Sequence, residues 1–118
     1  MKIKSFGYAW QGFKEVLRIE LNARTHLLAT VIALGLSWLL KLDAVRFSLI
    51  LLAIAIVWIA EIFNTVFELV IDMILPGHSK TAKYAKDIAA AAVLLATVIA
   101  LVIGAVVFCP ILYERLGR

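Results

Sequence analysis

Cys109 is the chain's only cysteine. No intrachain disulfide can form, nothing resembles a cysteine-based metal site, and Cys109 reads as a buried apolar filler. The first twenty residues lack an uninterrupted apolar core, because Lys2, Lys4, Lys14, Glu15, Arg18 and Glu20 interrupt it. That pattern argues against a removable signal peptide and for insertion through the mature helices. No Walker glycine loop or kinase catalytic-loop motif occurs, so no soluble nucleotide fold is implied. The formal charge of +4 is unaccompanied by a basic-aromatic motif, which excludes nucleic acid as the expected partner and leaves membrane orientation and anionic headgroups. Charge itself is scarce. At 64% hydrophobic and 17% charged residues, the chain is far more apolar than a soluble domain at about 45–50%. The expectation is a small all-α integral membrane protein, one domain over 1–118, with its chemistry confined to the membrane bundle and its edges.

In the first segment, 1–20, Ile3, Phe6, Trp10, Phe13, Leu17 and Leu21 share one helical face while Lys4, Gln11, Glu15 and Arg18 lie elsewhere. This is the pattern of an amphipathic helix lying on a membrane surface. Glu20 and Arg24 are spaced i, i+4, as for a modest surface ion pair, and His26 stands at the entrance to the apolar run Leu27–Leu40 as a headgroup or backbone contact. Three membrane-spanning helices are expected at 22–42, 45–74 and 81–113. The second stays apolar only from Phe47 to Ala60, and fourteen residues at about 1.5 Å each cannot cross a hydrocarbon core of about 30 Å. The bilayer must therefore extend past Glu61. Pro76-Gly77 signals a turn, and Pro110 bends or ends the third helix. Lys2, Lys4, Lys14, Arg18 and Arg24 join Lys80, Lys83 and Lys86 on one side, against Lys41, Arg46, Arg115 and Arg118 on the other. By the positive-inside rule the amino end and the Pro-Gly loop face the cytoplasm.

Within EIFNTVFELVID, Glu61 to Asp72, the residues Glu61, Asn64, Thr65, Glu68 and Asp72 fall within about 100° on one helix face. Ionisable groups in a membrane helix are costly and usually mark a site, pair or pathway. Glu68 and Asp72 are like charges at i, i+4 and call for a cation, either Lys86 or a divalent ion with hard oxygen ligands such as Mg²⁺. Glu61, deeper and desolvated, suits a general base within reach of a lipid hydroxyl. Phosphoryl transfer needs mostly positioning and charge neutralisation, which a metal, a lysine and a base supply without a large fold. From the residues alone three classes stay open: a lipid-phosphorylating enzyme, a small proton-coupled multidrug transporter built on an intramembrane glutamate, and an assembly protein.

Four blocks decide among them. GYAWQGF at Gly7 to Phe13, Glu20 with Arg24, EIFNTVFELVID at Glu61 to Asp72, and AKDIAAAAVLL at Ala85 to Leu95 resemble, in order and spacing, the prokaryotic diacylglycerol kinase and undecaprenol kinase family of small trimeric membrane enzymes. The resemblance implies a homotrimer with active sites shared between chains, ATP as phosphate donor, Mg²⁺ as cofactor and a lipid alcohol as acceptor, at the cytoplasmic face of the inner membrane. It implies Glu61 as catalytic base and Glu20 and Glu68 as metal ligands. Asn64, Asp72, Lys86 and Asp87 match active-site positions on the nucleotide and phosphate side, and Tyr8, Trp10 and Arg24 match residues near the nucleotide. Two departures stand out: Ala91 replaces a family glycine, and Pro76-Gly77-His78-Ser79 replaces the family's P-E-Y-H loop, so His78 receives no role. Asn22-Ala23-Arg24-Thr25-His26 resembles the undecaprenol kinase branch, which favours undecaprenol over diacylglycerol as substrate.

Overall fold

A computed structural model of the protein describes residues 3–117. Lys2 and Arg118, counted above for orientation, lie outside them, as does the side chain of Ile3. Among the described residues there are four helices, α1 (Ile3–Ile19), α2 (Leu21–Leu39), α3 (Ala44–Ile74) and α4 (Lys80–Leu116), and local sequence chemistry explains each break. Between α1 and α2 only Glu20 leaves the helical conformation, at φ −100° and ψ 116°. α2 ends at Lys41, whose φ of 53° places it in the left-handed region. Its N–H donates to the Trp38 carbonyl at 3.2 Å and the Leu42 N–H to the Ser37 carbonyl at 3.1 Å, the bond pair of a Schellman terminus. The Asp43 carboxylate then caps α3 by accepting the Arg46 N–H at 2.8 Å, and the Ser79 hydroxyl caps α4 by accepting the Ala82 N–H at 3.0 Å. Gly77, at φ +90°, takes the turn conformation that a side chain disfavours.

α3 and α4 share by far the most extensive contact in the chain, as the five-residue connection between them requires of neighbouring helices, and α1 and α2 pack onto that hairpin. The burial pattern is narrow. On α2 the partly or fully buried positions are Ala23, His26, Thr30, Ala33, Leu36 and Ser37, a stripe at i, i+3/i+4 spacing made of small and polar residues apart from Leu36. Leu28, Val31, Ile32 and Leu39 point outward. This is the arrangement of helices that pack through small residues and turn their large apolar side chains to lipid. On α3 the buried stripe runs Ile50, Ala53, Val57, Glu61, Asn64, passing from apolar to polar without changing face.

α3 and α4 are each long and apolar enough to cross a membrane; α2 does not reach that threshold, because Asn22, Arg24, Thr25 and His26 occupy its first turns. α4 continues through Pro110 to Leu116, so of the two expectations for this proline, a bend or an end, it does not end the helix. Cys109 is exposed on α4 and not buried as expected, since its side of the helix belongs to the outward apolar surface. The apolar face read from α1 divides in two. Phe13, Val16 and Leu17 turn inward, whereas Phe6 and Trp10 remain exposed.

Candidate functional site

The carboxylates are brought together by two backbone devices. α3 places Glu61, Asn64 and Glu68 at i, i+3 and i+7 on its inward stripe, and the extended backbone at Glu20 turns the chain there. Glu20's side chain makes no capping bond to α2. It lies instead beside Glu68: burial pushes the Glu20 carboxyl above its ordinary value of 4.5, followed by the charge of Glu68, a hydrogen bond between the two carboxyls, and the charge of Glu61. Two carboxyls this close hold either a proton or a cation between them.

Exposure rises along α3. Glu61 is 1% exposed and Asn64 8%, Glu68 is half-buried, and the Asp72 side chain is 60% exposed. Glu61 and Asp72 are separated by eleven residues, about 16 Å of helix. At the buried end neither Glu61 oxygen has a hydrogen-bond partner. His26 Nε2 approaches Glu61 Oε2 at 3.3 Å, close enough for an ion pair but off the ring N–H direction. The Thr65 hydroxyl turns back to the Glu61 carbonyl at 3.0 Å and so gives the carboxylate nothing. Asn64 Nδ2 donates to Glu68 Oε1 at 3.2 Å, while Asn64 Oδ1 is buried without a partner. At the exposed end Lys86 Nζ on α4 meets Asp72 Oδ1 at 2.5 Å, so Lys86 is the cation that the Glu68–Asp72 spacing calls for. Lys83 pairs with Asp87 at 2.7 Å along α4.

Not every expected residue joins this cluster. Tyr8 and Trp10 are 70% and 60% exposed on α1, and Trp10 stacks on Phe13 with ring centroids 6.0 Å apart. The expected Glu20–Arg24 ion pair is not formed among the described residues. Arg24 instead donates from Nε to the Leu17 carbonyl at 3.0 Å and from Nη2 to the Arg18 carbonyl at 3.3 Å. It caps the end of α1, where unpaired carbonyls and the negative end of the helix dipole attract a cation. Residue reading made His26 a headgroup or backbone contact, and the structure corrects this: its side chain is 15% exposed and faces Glu61. The i, i+4 register of His26 with Thr30, on the small-residue stripe of α2, was the signal available for it.

A mostly apolar cavity of about 300 Å³ lies between α2, α3 and α4, with His26, Thr30, Ala53, Val57, Thr97 and Gly104 in its wall. The residues of the cluster fit a divalent cation in kind. Glu20 and Glu68 offer adjacent hard oxygens, and Mg²⁺ is ordinarily held by one or two carboxylates completed by substrate phosphates and water. Among the described residues no group of three or more metal-ligating side chains gathers, so phosphate and water oxygens would have to complete such a shell.

Comparison with known proteins places this geometry in a family. The family described as prokaryotic diacylglycerol kinase matches residues 7–108. The chain is 37% identical over 107 residues to an undecaprenol kinase of Bacillus subtilis, covering 91% of this chain and 87% of that protein. It is 30% identical over 115 residues to the diacylglycerol kinase of Escherichia coli, covering 98% and 91%. A diacylglycerol kinase of Synechocystis is 36% identical over 107 residues, and there the match spans 90% of this chain but 61% of the longer relative. The transporter alternative finds no support in any of these. The chain belongs to the prokaryotic diacylglycerol kinase family, and it is an enzyme of the membrane lipid kinase class.

Proposed function

We propose that the protein transfers the γ-phosphate of ATP to the hydroxyl of a membrane lipid alcohol, undecaprenol in preference to diacylglycerol, at the cytoplasmic face of the inner membrane. The observation that carries this reading is the graded stripe on α3: a fully buried carboxylate without a hydrogen-bond donor at one end, and a carboxylate paired with a lysine at the water-facing end. Such a gradient joins a lipid-side proton acceptor to a nucleotide-side charge cluster on one rigid helix.

In this mechanism Glu61 accepts the proton of the lipid hydroxyl. The lipid oxygen forms a bond to the γ-phosphorus as the bond from that phosphorus to the bridging oxygen of ADP breaks, so ADP departs with the electron pair. Glu61 is suited to the first step because it is buried at the apolar end of the stripe and, among the described residues, neither of its oxygens is engaged by a hydrogen-bond donor, so both are free to accept a proton. Lys86 exchanges Asp72 for phosphate oxygens, and Asn64 orients Glu68. Mg²⁺, held by Glu20 and Glu68, would supply charge neutralisation on the phosphates. Asp87 holds Lys83 on the α4 face that presents Lys86, and Tyr8, Trp10 and Arg24 lie on the nucleotide side. The membrane reading adds α2 as a third span to α3 and α4, since α2 packs on α3 and ends in the Lys41–Arg46 connection that returns the chain. The outward faces of α2 and α4, including the exposed Ala91 and Ala92, suit close packing of further copies, as a homotrimer with shared sites requires.

The preference for undecaprenol rests on the Asn22–His26 segment; both an undecaprenol kinase and diacylglycerol kinases are among the relatives. The test is transfer of labelled phosphate from ATP to undecaprenol and to diacylglycerol side by side, in detergent with Mg²⁺ supplied. A higher kcat/KM with undecaprenol is expected. The reverse order overturns the substrate assignment, and transfer to neither lipid overturns the kinase reaction proposed for this chain.

A further inference from the structure

We infer that His26 is the positioning residue of the buried base: its imidazole holds the Glu61 carboxylate in the direction from which the lipid hydroxyl is deprotonated. Three observations carry this. Among the described residues His26 is the one basic side chain in ion-pair range of Glu61, at 3.3 Å, and Glu61 otherwise has no partner for either oxygen. A carboxylate that is 1% exposed and unbonded has no reason of its own to keep one orientation, so whatever sits against it decides its aim. The imidazole meets one aromatic ring, and that ring is itself anchored. The Trp58 ring lies edge-on to it, with centroids 6.4 Å apart at 68°. Trp58 Nε1 donates to the Thr30 hydroxyl at 2.8 Å, and that hydroxyl donates to the His26 carbonyl at 2.7 Å. Phe13 of α1 closes the outer side of Trp58, with centroids 5.0 Å apart.

The third observation is placement. His26 lies in the wall of the apolar cavity between α2, α3 and α4, so one side chain touches both the base and apolar space. A ring set against the anchored Trp58 at that junction fixes Glu61 relative to an incoming alcohol, and support of this kind is what keeps a reacting group within the small error that catalysis tolerates. The ring's approach is off the N–H axis, so a modest rotation of the carboxylate completes the hydrogen bond when the proton acceptor is engaged.

This inference rests on Glu61 acting as the base, and the test separates the two. Full-length wild type, His26→Gln, His26→Phe, Glu61→Gln and the double variant Glu61→Gln with His26→Phe are assayed with undecaprenol and with diacylglycerol under saturating ATP and Mg²⁺. Gln keeps an N–H donor near the position of Nε2, and Phe keeps ring volume without one. His26→Phe is expected to lower kcat by about tenfold to a hundredfold with KM for lipid and ATP within about twofold, while His26→Gln recovers most of the loss. In the Glu61→Gln background His26→Phe should cost nothing further, because there is no base left to aim. Full activity in Glu61→Gln overturns the base assignment. Loss in Glu61→Gln with wild-type kcat in His26→Phe overturns the positioning role alone. Equal loss in His26→Phe and His26→Gln also overturns it, because packing and not the donor would then be what matters.

Discussion

Replacing Glu61 by Gln is expected to separate catalysis from stability, because the residue proposed as the base is buried where a carboxylate is a poor structural residue. The side chain is 1% exposed and neither oxygen accepts a hydrogen bond. Leaving a buried polar group unsatisfied costs about 1–3 kcal/mol, and more when it is charged. Gln keeps the shape and still lacks partners, so it recovers only the part of that cost due to charge. It also removes the repulsion between Glu61 and Glu20, which is among the causes that raise the Glu20 carboxyl. The off-axis contact with His26 offsets little. A net gain on the order of 1 kcal/mol is expected, seen as a melting temperature a few degrees higher in detergent. Activity should move the other way. A missing general base costs about 10²- to 10⁴-fold, or roughly 3–5 kcal/mol of barrier at 1.36 kcal/mol per decade. The assay is phosphate transfer from labelled ATP to the lipid alcohol, run with thermal melting on the same preparation. Near-wild-type turnover refutes Glu61 as base, and a melting temperature below wild type refutes the claim that its charge is uncompensated.

Glu20 gives a pH prediction whose sign follows from its raised carboxyl. The fold favours the protonated form, so this contribution to stability is full below the ordinary value of 4.5 and is lost as pH rises through the raised one. Melting temperature without divalent cation should therefore fall over that window, Mg²⁺ should restore it at neutral pH, and Glu20→Gln should abolish both effects; a flat profile in the wild type refutes the Glu20–Glu68 pairing. On α4, Lys86→Ala should raise KM for ATP at least tenfold because it removes the cation paired with Asp72 across the helix interface. Lys83→Ala should change it by less than about threefold, since the exposed Lys83–Asp87 pair along one helix is worth only a few tenths of a kcal/mol. Equal effects of the two substitutions in ATP titrations would remove the distinction.

The sequence makes the helices legible because their stops are chemical: the Pro-Gly turn at Gly77, polar residues around Lys41 to Arg46, and the periodic stripe of α3. That stripe is legible as one face because 100° per residue relates Glu61, Asn64 and Glu68 without reference to any other element. What sequence could not order is anything set by the packing of one helix on another. The i, i+4 rule pairs Glu20 with Arg24, but it presumes a continuous helix. Glu20 is where the helix breaks, so Arg24 is left to the free carbonyls of Leu17 and Arg18 and Glu20 turns to Glu68. Local rules left Pro110 as either a bend or an end, and α4 continues past it. Ser79 appeared only as a departure from a loop pattern, whereas its hydroxyl caps α4.

His26 shows why the remainder was hidden. Read along α2 alone it is one polar residue near a boundary, and isolated histidines there commonly meet headgroups. Its significance comes from how α2 packs on α3, where its inward neighbours Ala23 and Ala33 and, on α3, Ala53 carry no chemical signal themselves. Small residues let the two backbones approach. Whatever larger side chain lies on the same stripe must then meet its counterpart, and on α2 that side chain is His26 while on α3 it is Glu61. Enlarging Ala33 or Ala53, far from any reacting atom, acts on the same interface that brings His26 to Glu61.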